Sequence, residues 1–290
     1  MSLTIHLTVS LALFAPQGEV EKPPLPEPAV AAKKIGIAVK EAPAPAIDLL
    51  QRYGQIADTK VVREVGRALR HKDTDVQAAA LHALRFNEHE SVVAELIKHR
   101  RNKRLVEHHV LGAEYYLALG QHGDLKALPI IKFNLKSARS RDKVTTARIL
   151  ALGKMRTRAS VDTLIDLFRT ARGGSRNNVR LSLVALTGED LGGGWVAWAR
   201  WWAKARRGFK VDKTEPKMSD RLAKDWGKVW AEKKPVKPAQ TAKAGGQDTD
   251  DGDPSTRKQD ARKNAYKRRR QRGKERRAAK RKDGKGKSGK

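Results

Sequence analysis

The sequence predicts an all-α protein in which about four helical hairpins stack into an α-solenoid. Two observations carry this prediction: a short motif recurs four times at nearly constant spacing, and helical stretches with amphipathic periodicity precede each copy. A third observation is a tryptophan-rich stretch after the last copy, which predicts a capping helix at the end of the stack. The solenoid is predicted over residues 46–210 and a further short helix over residues 211–232.

The recurring motif is centred on an alanine, and a leucine follows this alanine in every copy. The four alanines, which are spaced 35, 33 and 34 residues apart, are Ala83, Ala118, Ala151 and Ala185. Each motif ends a predicted helix B, over residues 76–84, 110–119, 144–152 and 179–186. Each is preceded by a predicted helix A, over residues 59–70, 90–99, 124–136 and 158–171. Because neither helix of a pair can bury its apolar stripe alone, the pairs must stack.

Individual residues follow from this scheme. The leucines after the motif alanines, Leu84, Leu119, Leu152 and Leu186, are predicted to be buried. Asp73 and Asp142 precede helix B stretches and are predicted to be N-caps. The small residues at the end of helix B, such as Gly120 and Gly153, predict a close approach of helix backbones.

The Ala-Leu-Gly ends of helix B, the Leu128-Pro129 pair and the repeat length together resemble the HEAT-repeat family, whose members are all-α solenoids of paired antiparallel helices. The resemblance covers residues 46–207. The Leu-Thr-Gly at 186–188, followed by Trp198, Trp201 and Trp202, is similar to the end of the repeat array in many bacterial HEAT-repeat proteins, which are often exported. The resemblance implies a non-catalytic scaffold that binds a protein or peptide on its concave helix-B face.

The tryptophans after the last repeat predict a cap. Trp195, Trp198, Trp201 and Trp202 are spaced so that they lie near one face of a helix, where they would cover the open end of the stack. An aromatic platform for bases or sugars is the alternative. Trp226 and Trp230 are predicted to dock the further short helix against this cap.

The two ends of the chain differ from the repeats in composition. Residues 1–18 contain an apolar stretch and small residues typical of a signal peptide, although no Lys or Arg precedes the stretch. This predicts a periplasmic or secreted protein, with a cytoplasmic one as the alternative. Residues 19–45, rich in Pro and Ala, are predicted to form an extended linker. Residues 233–290 are Lys/Arg-rich without hydrophobic periodicity, which predicts a disordered basic tail.

The charge predicts an anionic partner. The chain has a formal net charge of +30, of which +15 falls on residues 46–210 and +15 on residues 233–290. Within the repeats, the predicted A-to-B turns carry +12 in all, whereas the turns from each helix B to the next helix A sum to 0. A basic edge of this kind would contact nucleic acid, an anionic lipid surface or another anionic polymer.

The candidate polyanion-binding residues are the cations of these A-to-B turns and of the tail. They are Lys98, Arg100, Arg101, Lys103, Arg104, Lys136, Arg139, Arg141, Arg169, Arg172, Arg176, Arg268, Arg269 and Arg270. The cations of the opposite edge are expected to provide a comparison set of equal charge. They are Arg85, Lys154, Arg156 and Arg158.

Catalytic, metal and cofactor sites are not predicted. The chain has no cysteine, which excludes disulfides, Cys-ligated metal centres and a thiol nucleophile. It contains no His-Glu-x-x-His motif, and its single His-Glu pair, His89-Glu90, does not support the multi-repeat iron site of HEAT-like hydroxylases. The sequence contains no run of 18 apolar residues, so no transmembrane segment is predicted in the mature chain. Two further hypotheses remain: a dedicated sequence-nonspecific nucleic-acid-binding protein, and a HEAT-like enzyme of the DNA glycosylase type.

Overall fold

The structure, a computed structural model, describes residues 24–135, 143–212 and 214–232. Over these residues the secondary structure is entirely helical, as the sequence predicts. The helices are α1 (Pro28–Glu41), α2 (Pro43–Tyr53), α3 (Thr59–Ala68), α4 (Thr74–Phe86), α5 (Val92–Lys98), α6 (Lys103–Val106), α7 (Leu111–His122), α8 (Leu128–Lys132), α9 (Lys143–Lys154), α10 (Arg158–Phe168), α11 (Gly174–Thr187), α12 (Trp195–Ala205) and α13 (Asp220–Trp230). A 3-10 turn, Leu125–Ala127, leads directly into α8.

The predicted helix B stretches correspond to α4, α7, α9 and α11, and they lie side by side. Together with α2 they form a row, here called the B row, in which each helix packs against the next. On the other side, α1 packs against α3 and α3 against α5, while α10 packs against α9, α11 and α12. The alternation of two kinds of helix along the chain therefore corresponds to an alternation between two positions in space.

The core runs through the described helices and includes every copy of the repeated motif. The motif alanines and their following leucines are buried, each with no more than 1% of its surface exposed. The predicted burial of Leu84, Leu119, Leu152 and Leu186 is thus confirmed. Asp73 is the N-cap of α4, because its Oδ1 accepts hydrogen bonds from the backbone N–H groups of Asp75 at 2.7 Å and Val76 at 3.3 Å. Asp142 lies outside the described residues.

The prediction of an extended linker over residues 19–45 is wrong where α1 lies. This helix buries Ala31, Ala32, Ile35 and Ala38, a helical spacing, and packs against α2 and α3. The prolines that suggested a linker stand at the starts of helices, with Pro28 beginning α1 and Pro43 beginning α2. Proline is tolerated there because the first N–H groups of a helix have no intrahelical acceptor.

Helix α12 covers α10, and its indoles are used in packing. Trp198 and Trp202 are buried, and Trp201 and Trp202 are stacked with ring centres 5.6 Å apart. The Trp198 Nε1–H donates to the Gly192 carbonyl at 2.9 Å, and the Trp202 Nε1–H donates to Asp162 Oδ1 at 2.7 Å. These contacts favour the capping interpretation over an aromatic platform.

Helix α13 is predicted to pack against α12, but its two tryptophans pack elsewhere. Trp226 and Trp230 lie on the B row, where they form a small apolar cluster with Leu150, Leu181 and Ala185 that is separate from the main core. Their spacing of four residues correctly places them on one face of α13, but it carries no information about the surface that this face meets.

His122 makes the stability of the fold depend on pH. Its Nε2–H donates to the Leu84 carbonyl at 2.9 Å, and burial lowers its pKa, which this hydrogen bond opposes. A histidine with a lowered folded-state pKa stabilises the fold while neutral, so stability is complete above the unfolded pKa of about 6.5 and is lost as the pH falls below it. We expect the free energy of unfolding, measured with urea, to decrease between pH 7.5 and 5.5. His122→Gln should reduce this decrease and the exposed-site variant His109→Gln should not; equal slopes in both variants would contradict the assignment.

Candidate anion-binding edge

Two A-to-B turns are joined by the side-chain amide of Asn102. They are residues 69–73, between α3 and α4, and residues 98–104, which run from the last residue of α5 into the start of α6. Asn102 Nδ2 donates to the Leu69 carbonyl at 3.3 Å, and Gln77 Nε2 donates to the carbonyls of Leu69 at 3.2 Å and His71 at 2.8 Å. These bonds satisfy backbone acceptors that the helix ends leave open. They also bring the cations of both turns to one place on the surface.

The second of these turns has the highest positive charge of the predicted A-to-B turns. Its five predicted anion-binding residues are all exposed: Lys98, Arg100, Arg101, Lys103 and Arg104. Lys98 Nζ lies 2.5 Å from Glu95 Oε2, and Arg100 Nη1 donates to the Ile97 carbonyl at 3.2 Å. Glu95 is largely buried, but the Lys98 side chain is 60% exposed, so its ammonium group remains accessible to an external anion.

The two turns enclose a cavity of about 370 Å³, here called the turn pocket. It is lined by Arg70, His71, Gln77, Lys98, His99, Asn102 and Arg104. These lining residues include three full cations and no carboxylate, although the Glu95 carboxylate contacts two of them from beside the pocket, Lys98 Nζ at 2.5 Å and His99 Nε2 at 3.8 Å. The excess of positive charge suits an oxyanion such as phosphate. Burial and the neighbouring Arg70 lower the pKa of His99, the Glu95 carboxylate partly opposes them, and a bound anion would oppose them further.

The turn pocket adds residues that sequence reasoning did not select. Arg70, His99 and Asn102 come from two turns about thirty residues apart, and only the packing of α3 against α5 brings them together. Arg70 could have been found, since it belongs to the basic turn next to Asp73. Nothing in the spacing of His99 or Asn102 marks them.

The remaining predicted residues are distributed differently. Arg169 and Arg172 are exposed after α10, but Arg169 lines another cavity, of about 450 Å³, between α10 and α12. Arg176 is half-buried, with its guanidinium 5.4 Å from the centre of the Phe168 ring, so it contributes to packing. Lys136, Arg139, Arg141, Arg268, Arg269 and Arg270 lie outside the described residues.

The cations of the opposite edge are not a set of free surface charges, contrary to the expectation from charge counting. All four bind the chain after α12. Arg85 donates to the Val229 carbonyl and pairs with Glu114 at 3.0 Å, and Lys154 pairs with Glu215. Arg156 donates to the carbonyls of Asp212 and Ala185, and Arg158 donates to the Phe209 carbonyl at 3.0 Å. Substitutions at these positions would therefore disturb the structure as well as the charge.

The described residues contain no helix with the length and apolar composition needed to cross a bilayer. Within the same residues, no three His, Asp or Glu side chains gather in a group that could hold a metal ion. Comparison of the chain with protein-family models, with curated proteins and with solved structures finds no match.

Proposed function

We propose that this protein is a non-catalytic HEAT-like solenoid scaffold that binds a polyanion through its basic edge and its Lys/Arg-rich C-terminal segment. The repeated alanines at the contacts of the B row, and the indoles of α12 over α10, support the solenoid and its cap. The observation that carries the binding function is the turn pocket, whose lining has three cations and no carboxylate, beside further exposed arginines.

The mechanism of binding is electrostatic. Exposed Lys and Arg side chains displace the counterions of a phosphate or sulfate polymer, so affinity decreases steeply as salt is added. Contacts of this kind go to the backbone of the polymer and not to base edges, and binding is therefore insensitive to nucleotide sequence. The turn pocket would hold one anionic group, while Arg100, Arg101 and Lys103 would contact its neighbours along the polymer.

The contribution of the folded part is tested by removing the tail. A chain ending at Glu232 loses +15 of the formal charge but keeps the turn pocket and its neighbours. We expect it to bind a DNA duplex, RNA and heparin more weakly than the full chain, with binding that still depends on salt. Fluorescence anisotropy with each labelled polymer measures the affinity and its dependence on salt. The titration covers about 50 to 200 mM salt, the range over which such contacts respond. A shortened chain that is folded and binds none of the three would contradict the proposal.

A further inference from the structure

The chain after α12 runs back across the B row. The described part of this segment, residues 206–212 and 214–232 and here called the strap, contacts the B row at successive points. Pro216 lies beside Gly188 at the end of α11, Trp226 beside Gly153 in α9, and Trp230 beside Gly120 in α7. At its end, Val229 accepts from Arg85 of α4, and Glu232 Oε1 accepts from Gln55 Nε2, after α2, at 2.6 Å. The strap thus passes all the helices of the B row from last to first.

The surface under α13 is a groove with a glycine floor. A Cβ atom on Gly153 would lie 2.7 Å from the Trp226 ring, and one on Gly120 would lie 2.9 Å from the Trp230 ring. Between them, the Lys154 ammonium lies 5.7 Å from the centre of the Trp226 ring and 5.2 Å from that of Trp230. Its contacts combine cation–π attraction with the ion pair to Glu215. The groove therefore selects a helix with two aromatic rings spaced four residues apart and an acidic group beside them.

Helix α13 fits this groove incompletely. Arg85 Nε and Trp230 Nε1 are buried, and neither has a hydrogen-bond partner among the described residues. A cavity of about 590 Å³ remains between α4, α7 and α13, where His82, Phe86 and Leu117 are among the lining residues. Buried donors without acceptors cost free energy that a better-matched ligand would recover.

The sequence of α13 only weakly favours a helical conformation. It has 11 residues, which is too short for stability in isolation, and Gly227 lies in its interior. No atom outside the neighbouring backbone lies within 4 Å of a Cβ placed on Gly227, so packing does not require this glycine. Only Trp226 and Trp230 of α13 are buried, and they belong to a cluster outside the main core, whereas the partly buried Leu222 packs against both clusters. Displacing α13 would therefore uncover the small cluster and the part of the main core that Leu222 covers.

We propose that this groove is a recognition site for an amphipathic helix of a partner protein, and that α13 occupies it in cis as a competitor. The partner helix would carry aromatic side chains at positions i and i+4, apolar side chains that enter the remaining cavity, and a hydrogen-bond acceptor for Arg85 Nε. This inference is independent of polyanion binding, since the groove and the turn pocket share no residue.

The test uses the full chain and a synthetic peptide of residues 212–232 as the probe. In the double variant Trp226→Ala/Trp230→Ala, the groove is no longer filled by α13, and the labelled peptide should bind at least 10-fold more tightly than to the wild type. Lys154→Ala added to this variant should weaken peptide binding several-fold, because the cation–π and Glu215 contacts are lost. The matched control is Arg221→Ala/Lys224→Ala, which changes exposed residues of α13 and should bind no more peptide than the wild type.

The outcomes separate the alternatives. If the double variant keeps its helical circular dichroism spectrum and does not bind the peptide, the groove is not a recognition site. If that variant fails to fold, Glu215→Ala/Glu232→Ala replaces it, since it weakens the strap without removing an aromatic ring, and it should bind the peptide more tightly than the wild type. Reversible dimers of the wild type that are abolished by Trp226→Ala/Trp230→Ala would assign the groove to a second copy of this chain and would overturn the proposal of a different partner.

Discussion

Replacing Arg100, Arg101, Lys103 and Arg104 together by glutamine is expected to weaken binding to a DNA duplex by on the order of 100-fold at low salt. All four side chains are exposed, and Arg104 also lines the turn pocket. Each phosphate contact that is lost should reduce the slope of log affinity against log salt by about one unit. The measurement is a salt titration of binding by the variant and the wild type, both as full chains.

The control for this variant must remove the same charge elsewhere. Arg85, Lys154, Arg156 and Arg158 are unsuitable because they hold the strap on the B row. We choose four exposed cations of α12 and α13, which are Arg200, Lys204, Arg221 and Lys224. Their replacement by glutamine should change affinity only slightly. An equal loss in both variants would show that net charge, and not the edge, determines binding.

Replacing Leu152 by alanine is expected to decrease the free energy of unfolding by about 2–5 kcal/mol. Leu152 lies in α9, the helix of the B row that packs against both α7 and α11, and none of its surface is exposed. The deleted methyl groups would leave a cavity that helices packed on both sides cannot easily close. Urea denaturation followed by circular dichroism measures the change. Leu125→Ala, at a side chain that is 55% exposed, should cost less than about 0.5 kcal/mol, and a comparable loss at both positions would argue against this packing.

The helices of the B row could be predicted because their sequence repeats. Ala118 and Leu119 recur as Ala151 and Leu152, and each such pair is buried at the same kind of helix contact. The sequence does not predict α1, because its buried face consists mostly of alanine, which carries little hydrophobic signal, and because Pro28 and Pro43 suggest a linker. The position of α13 could not be predicted, since two tryptophans specify a face but not the helix that receives it.

In the candidate site, too, some residues could be predicted from the sequence and others could not. Arg100 and Arg101 could be identified because exposed turns follow from the helix boundaries, and their charge is read directly from the sequence. The turn pocket could not, because His99 and Asn102 acquire their place only when α3 packs against α5. The role of the opposite edge could not be predicted, because Arg156 and Arg158 donate to backbone carbonyls about fifty residues away, and a count of charges takes no account of such acceptors.

The course of the strap has a consequence for how the protein unfolds. In an array of stacked helical pairs, each pair touches only its neighbours, so the ends can fray while the middle remains folded. The bond between Gln55 and Glu232 and the contact of Arg85 with Val229 join the first helices of the B row to the end of the strap, which begins beyond its last helix. Fraying at either end would therefore also break contacts of the strap. In the proposed solenoid, the strap would couple the two ends of a one-dimensional array, and a partner that displaced α13 would restore their independence.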